Sequence, residues 1–282
     1  MVHKINFFIT KIFDVILTPF NGAGDFWPVL FLSVLLSFVI LFILKYISFP
    51  KKIIESKDKI KANIFAIRIY KDFWRVIVSS FFKSLFHTLR YFVFNLAPFI
   101  VIIPLLLPVF SQMEVRYGMR PFNPGETFVI KADMDRDYDK SLVSLEDNEM
   151  VRPKMRPVFI NAWLDEEKTR PIRVVNWKME TAKEGKTLLG IRIGDRVYHK
   201  ELLVGKSKAP LSERKYRDSG LNHFLYPVEG LLEQNDVLKS VRISYPGKLV
   251  SFLGLKMHWI LWNLIIVIVL ILAFRKRFGV EF

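Results

Sequence analysis

Three apolar runs, each long enough to cross a bilayer, narrow what this chain can fold into more than any other feature. The first extends from Val29 to Leu44 without a charge and continues past Lys45 to Phe49. The second, Tyr91 to Phe110, holds no charge in twenty residues. The third runs from Met257 to Phe274 and stops at Arg275-Lys276-Arg277. A hydrocarbon core roughly 30 Å thick is crossed by about 20 helical residues rising 1.5 Å each. One such run is compatible with a buried core helix in a soluble protein. Three in 282 residues read as transmembrane helices over 27–49, 91–110 and 256–274.

Charge sets the expected orientation. From Lys45 to Arg90 there are 11 Lys/Arg against 3 Asp/Glu, whereas residues 111–255 carry 25 basic against 21 acidic side chains. The formal charge of +15 is therefore gathered beside the apolar runs. That distribution follows the positive-inside rule and argues against DNA or RNA as a partner. Residues 50–90 and the tail 275–282 are expected in the cytoplasm, with the N-terminus and residues 111–255 outside. The chain has no cysteine, which removes disulfides, thiolate metal sites and cysteine nucleophiles.

Residues 1–26 predict an interfacial amphipathic helix. Lys4, Lys11, Asp14 and Thr18 share one face, Phe7, Phe8, Ile12, Val15 and Ile16 cover the rest, and Pro19 with Asn21-Gly-Ala-Gly24 ends it. Residues 50–90 predict a cytoplasmic helical hairpin, two amphipathic helices broken near Lys71-Asp72-Phe73. Residues 111–255 read as mainly β, with strands near 126–132, 156–163, 171–178, 187–193, 196–203 and 237–245 and a tight turn at Gly194-Asp195. About seven short strands fit an immunoglobulin-like sandwich. The expected fold class is thus a mixed membrane protein: three transmembrane helices, a cytoplasmic helical hairpin and an inserted extracytoplasmic β-sandwich-like domain.

Polar residues inside apolar runs are the candidate functional positions. Lys45 stands near the inner end of the first run, Asn95 one turn into the second and Asn263 within the third. They either line a partly hydrated groove or, in the case of Lys45, simply reach the headgroups. Asp133, Asp135, Asp137 and Asp139 imitate a calcium loop, but the glycine and the position-12 glutamate of that motif are missing, so an exposed polar loop is expected. No phosphate-cradling glycine loop, HExxH or nucleophile elbow occurs. Neither an enzyme, a cofactor nor a metal site is expected.

The order of these elements resembles the YidC/Oxa1/EMC3 superfamily of membrane-protein insertases. The resemblance rests on the interfacial N-terminal segment, the basic residue Lys45, the charged helical segment 53–89, and Asn95-Leu-Ala-Pro98 where a second helix begins. It covers 27–110 and 257–277 and implies a groove open to cytoplasm and lipid, with Lys45 attracting a nascent membrane-protein client. A domain of 145 residues between the second and third helices departs from that pattern. The stretches Ile64–Asp72 and Phe110–Gly125 also look like those of uncharacterised bacterial inner-membrane proteins, which implies a multi-pass inner (plasma) membrane location. Two functions follow as expectations. One is a structural or accessory subunit whose β domain docks a protein partner outside the cytoplasm. The other is an insertase-like chaperone. In both, membrane lipids and further membrane proteins are partners.

Overall fold

The computed structural model describes residues 2–163, 171–217, 220–232 and 237–280. Its helices are α1 (Val2–Leu17), α2 (Phe26–Ile47), α3 (Pro50–Ile69), α4 (Trp74–Met113), the short α5 (Leu221–Leu225) and α6 (Trp259–Phe278). Three of them, α2, α4 and α6, are long and apolar enough to cross a membrane, in keeping with a multi-pass protein. The chain divides into two compact units: Met1–Val29 with Leu107–Trp259, and Leu30–Leu106 with Ile260–Phe282.

In the helical unit, α2 buries Leu32, Leu36, Ile40 and Leu44, which recur every four residues, together with Leu41, and exposes Phe31, Leu35 and Phe42. Its partner is α6. Asn263 meets Ser33, and further along Phe38 lies 5.5 Å from Phe274 and Phe42 6.5 Å from Phe278. Rising numbers match rising numbers, so α2 and α6 run parallel, as the first and third of three successive crossings must. Between them in sequence, α3 ends at Ile69 and α4 starts at Trp74. Glu55 sits 3.9 Å from Arg90, and the Phe49 and Phe94 rings are 5.8 Å apart.

The long helix α4 runs unbroken for 40 residues, through position 91 and through Pro98, Pro104 and Pro108. The change from basic, patterned residues to uncharged ones is therefore not a structural boundary. Each interior proline removes one amide hydrogen bond. In an apolar surround the backbone has no better alternative than to stay helical.

The β unit contains β1 (Thr127–Met134), β2 (Val143–Leu145), β3 (Val151–Pro153), β4 (Val158–Trp163), β5 (Pro171–Thr181), β6 (Gly185–Ile193), β7 (Arg196–Val204), β8 (Arg214–Tyr216), β9 (Leu238–Ile243), β10 (Val250–Phe252) and β11 (Leu255–Met257). One sheet has the order β3-β5-β1-β9-β8 with β4 also on β5; a second has β2-β6-β7; β10 and β11 pair alone. β1 is central, antiparallel to β5 from Thr127↔Glu180 and to β9 from Ile130↔Ile243. The other edge of β5 is shared in succession, Trp163↔Pro171 to Val158↔Asn176 with β4 and Pro153↔Met179 to Val151↔Thr181 with β3. This six-plus-three division departs from the four-plus-three of the expected immunoglobulin-like domain. The physical reason is the length of β5, whose 11 residues hold two partners on one edge. Both sheets contribute to one apolar core, with Ile130, Val175, Trp177 and Ile243 from the first and Leu189, Ile191 and Leu202 from the second. β6 and β7 are joined by the two-residue turn Gly194-Asp195, where Gly194 has φ +59°.

The N-terminal helix belongs with the β unit. Thr18 donates to the Asp14 carbonyl as α1 gives way to a 3₁₀ turn at Thr18–Phe20, while Phe7, Phe8 and Val15 stay exposed. Its polar side meets the π-helical turn Glu114–Gly118 that follows α4. Gln112 in the last turn of α4 donates to Thr10, and Arg116 in the π-helical turn reaches Asp14 at 2.6 Å.

The entry to β1 is pinned by Arg120, which binds both carboxylate oxygens of Glu126, at 3.0 and 2.8 Å. The guanidinium, assisted by the amides of Asn123, holds this carboxyl down from 4.5 to about 2. A depressed folded value means that the stabilisation is complete above the ordinary carboxylate range and is lost as pH falls from about 4.5 towards 2. A partly exposed pair contributes up to about 1 kcal/mol. Glu126→Gln is therefore expected to lower the melting temperature at neutral pH by about 2–4 °C. Its melting curve should converge on that of the parent in acid.

Candidate functional site

The three polar residues singled out in the apolar runs have three separate engagements. Asn263 is buried and donates to Ser33 Oγ at 2.8 Å, across α2 and α6. Asn95 donates to the Tyr91 carbonyl one turn earlier in α4, also at 2.8 Å. Lys45 is exposed and lies 5.8 Å from the ring of its neighbour Tyr46. Ser37, one turn beyond Ser33, turns back to the Ser33 carbonyl at 2.6 Å. Asn263 and Ser33 thus form a polar clasp between helices, the kind of bond that fixes register in an apolar medium.

The aspartates near the end of β1 also disperse. Asp133 accepts from Ser240, Asp135 from Arg217, Asp137 from Arg173, and Asp139 from the amide and hydroxyl of Ser141. Asp133, Asp135 and Asp137 each tie a different segment to the end of β1, whereas Asp139 caps the short 3₁₀ turn Lys140–Leu142.

A buried ion pair in the β unit was not identified from the sequence. Lys200 is fully buried and donates to the Ser212 carbonyl at 2.6 Å, to Ser212 Oγ at 3.3 Å and to the carboxylate of Glu229. Burial pulls its ammonium below the ordinary lysine value, and the Glu229 charge works against that pull. A lysine beside a serine resembles a nucleophile with its base, but that chemistry needs a neutral amine and a reachable hydroxyl. Here a carboxylate is bound to the amine and Ser212 is buried. The trio works as a clamp holding the segments around Ser212 and Glu229 against β7. One signal was available: Tyr198, Lys200, Leu202 and Val204 alternate along β7, placing a lysine on the inward face.

A polar cavity of about 270 Å³ lies among the start of α2, the π-helical turn, Lys208 and Lys248. Its charges answer one another. Asp14 pairs with Arg116, Asp25 with Lys248 at 2.9 Å, and Lys208 donates to the carbonyls of Asn21 and Ala23.

The surface feature that stands apart is β4. Only Phe159 turns towards the core, 6.4 Å from the Tyr138 ring. Val158, Ile160 and Trp163 are 50%, 40% and 49% exposed. Among the described strands β4 pairs with β5 alone, so its outer edge has no strand partner among the described residues and presents its backbone beside apolar side chains. Such an edge is a template for another extended chain. Comparison with protein families, with curated proteins and with solved structures finds no match to this chain.

Proposed function

We propose that this protein is a membrane-anchored accessory subunit whose β domain, a two-layer sandwich outside the cytoplasm, docks a partner protein along β4. The exposed apolar edge carries this reading. An extended partner segment adds as a further strand, main-chain hydrogen bonds supply affinity, and Val158, Ile160 and Trp163 select its side chains. The excess of basic residues between Lys45 and Arg90 supports a cytoplasmic position for α3 and the first half of α4, which form a helical hairpin in this reading.

The test is a photocrosslinker placed at Asn161 in the full-length protein in its native membrane. A discrete adduct is expected, and Val158→Lys with Ile160→Lys should abolish it while leaving the melting temperature within the small range of a surface change. An adduct that survives both lysines, or no adduct at all, removes β4 as the docking edge.

A second reading has its own observation. Phe81, Phe82, Leu85 and Phe86 are exposed on the first half of α4 beside Arg75 and Lys83. An apolar and basic face suits an insertase-like role for a nascent membrane-protein segment. A crosslinker at Phe82 that captures nascent membrane chains, with none captured from Asn161, favours that reading over the first.

A further inference from the structure

We infer that the hairpin of β10 and β11 inserts its tip, Leu253, into lipid at the level where the membrane spans begin. The register Val250↔Met257, Ser251↔Lys256 and Phe252↔Leu255 leaves Leu253-Gly254 as a two-residue turn. Both residues have positive φ, 49° and 82°. Such a turn accepts asparagine or glycine without strain and suits leucine poorly. Leu253 is nevertheless 85% exposed, so no packing within the protein repays the conformation.

The neighbours of the hairpin identify what covers it. Phe252 stacks on Phe26, the first residue of α2, with centroids 3.7 Å apart, and meets Trp27 edge-on at 6.4 Å. β11 ends two residues before Trp259, where α6 starts, and the Trp259 indole donates to Glu114 just beyond α4. The hairpin therefore lies in the layer where all three long helices have an end. Trp27, half-exposed in that layer, occupies the level that aromatic side chains take at a bilayer interface. Leu255 is exposed beside the tip and extends the apolar surface, and Leu249 is exposed at the open end of the hairpin. Lipid is the medium in which an exposed leucine at this level gains by burial. The inference depends on α2, α4 and α6 crossing a membrane and is independent of what docks on β4.

The absence of cysteine makes a single-site probe clean. Leu253→Cys carrying an environment-sensitive fluorophore is read in the full-length protein in lipid nanodiscs, with Asp195→Cys at the β6–β7 turn as the aqueous reference. The expected result is a blue-shifted emission at Leu253→Cys, quenched by nitroxide-bearing lipids and shielded from iodide. Emission and iodide quenching equal to the reference would overturn the inference. So would a blue shift without lipid quenching, because a protein surface would then be the cover. A probe at Leu255→Cys provides the second measurement, since Leu253→Asn suits the turn without the apolar tip. That variant is expected to melt no lower than the parent while the lipid quenching at Leu255→Cys falls to the reference level. Quenching unchanged by Leu253→Asn also counts against insertion of the tip.

Discussion

Glu229→Ala is expected to destabilise the β unit by about 3–5 kcal/mol, because it strands the Lys200 ammonium in the interior. The ammonium retains the Ser212 carbonyl and hydroxyl, but neither carries a compensating charge. Replacing both partners with apolar side chains of similar volume, Lys200→Met with Glu229→Leu, is expected to recover most of the loss, since the desolvation cost of both charges disappears together. Denaturant unfolding of the full-length protein, followed by tryptophan fluorescence, measures both variants. If the single variant loses less than about 1 kcal/mol, water or another charge compensates Lys200. If the double variant is as weak as the single one, the pair is important for its shape rather than its charge.

Trp177→Ala should cost a similar amount, about 3–5 kcal/mol, for a different reason. The indole is 4% exposed, stands opposite Ile130 in the β1–β5 ladder and belongs to the core fed by both sheets. Truncation removes its apolar contacts and leaves a cavity that rigid neighbouring strands close only in part. Against the roughly 5–15 kcal/mol of a typical domain, that loss is a large share. Amide hydrogen exchange in β5 of the first sheet and in β6 of the second should rise together in Trp177→Ala and much less in Trp177→Phe. Faster exchange confined to residues adjoining Trp177 would show that the two sheets do not depend on it jointly.

Much of this architecture is legible in the residues. The uncharged runs around Leu36, Val101 and Val267 identify the three long helices, since few structures bury so many consecutive apolar side chains. Six strands of six or more residues are legible from alternation and from turn residues such as Gly194-Asp195. The three-residue strands β2, β3, β8, β10 and β11 are not, because so short a run shows no period. Continuity of α4 is also hidden: polarity changes near Tyr91, yet no glycine or cap accompanies the change. The polar positions Lys45, Asn95 and Asn263 stand out by composition, but their partners do not. Ser33 lies 230 residues from Asn263, and a clasp at that separation has no local signature. Lys200 is legible as an inward lysine, whereas Glu229 is in a loop whose sequence gives no hint of burial. The strand character of Val158-Phe159-Ile160 can be read directly, but its position at an edge depends on which neighbours β5 accepts.

The central place of β1 has a consequence in time. One of its edges pairs with β5, but the other waits for β9, which lies about 110 residues later in the chain. At about 5–20 residues per second, synthesis leaves that edge open for roughly 5–20 s. Throughout this interval α2 and α4 are already made, while Ile130 to Met134 border an unfilled strand position. β9 ends at Ile243 and α6 begins at Trp259, so the sheet closes only as the last long helix is being produced. The nascent β unit is thus tethered at one end alone for most of its synthesis. Its most vulnerable moment comes just before the second tether arrives.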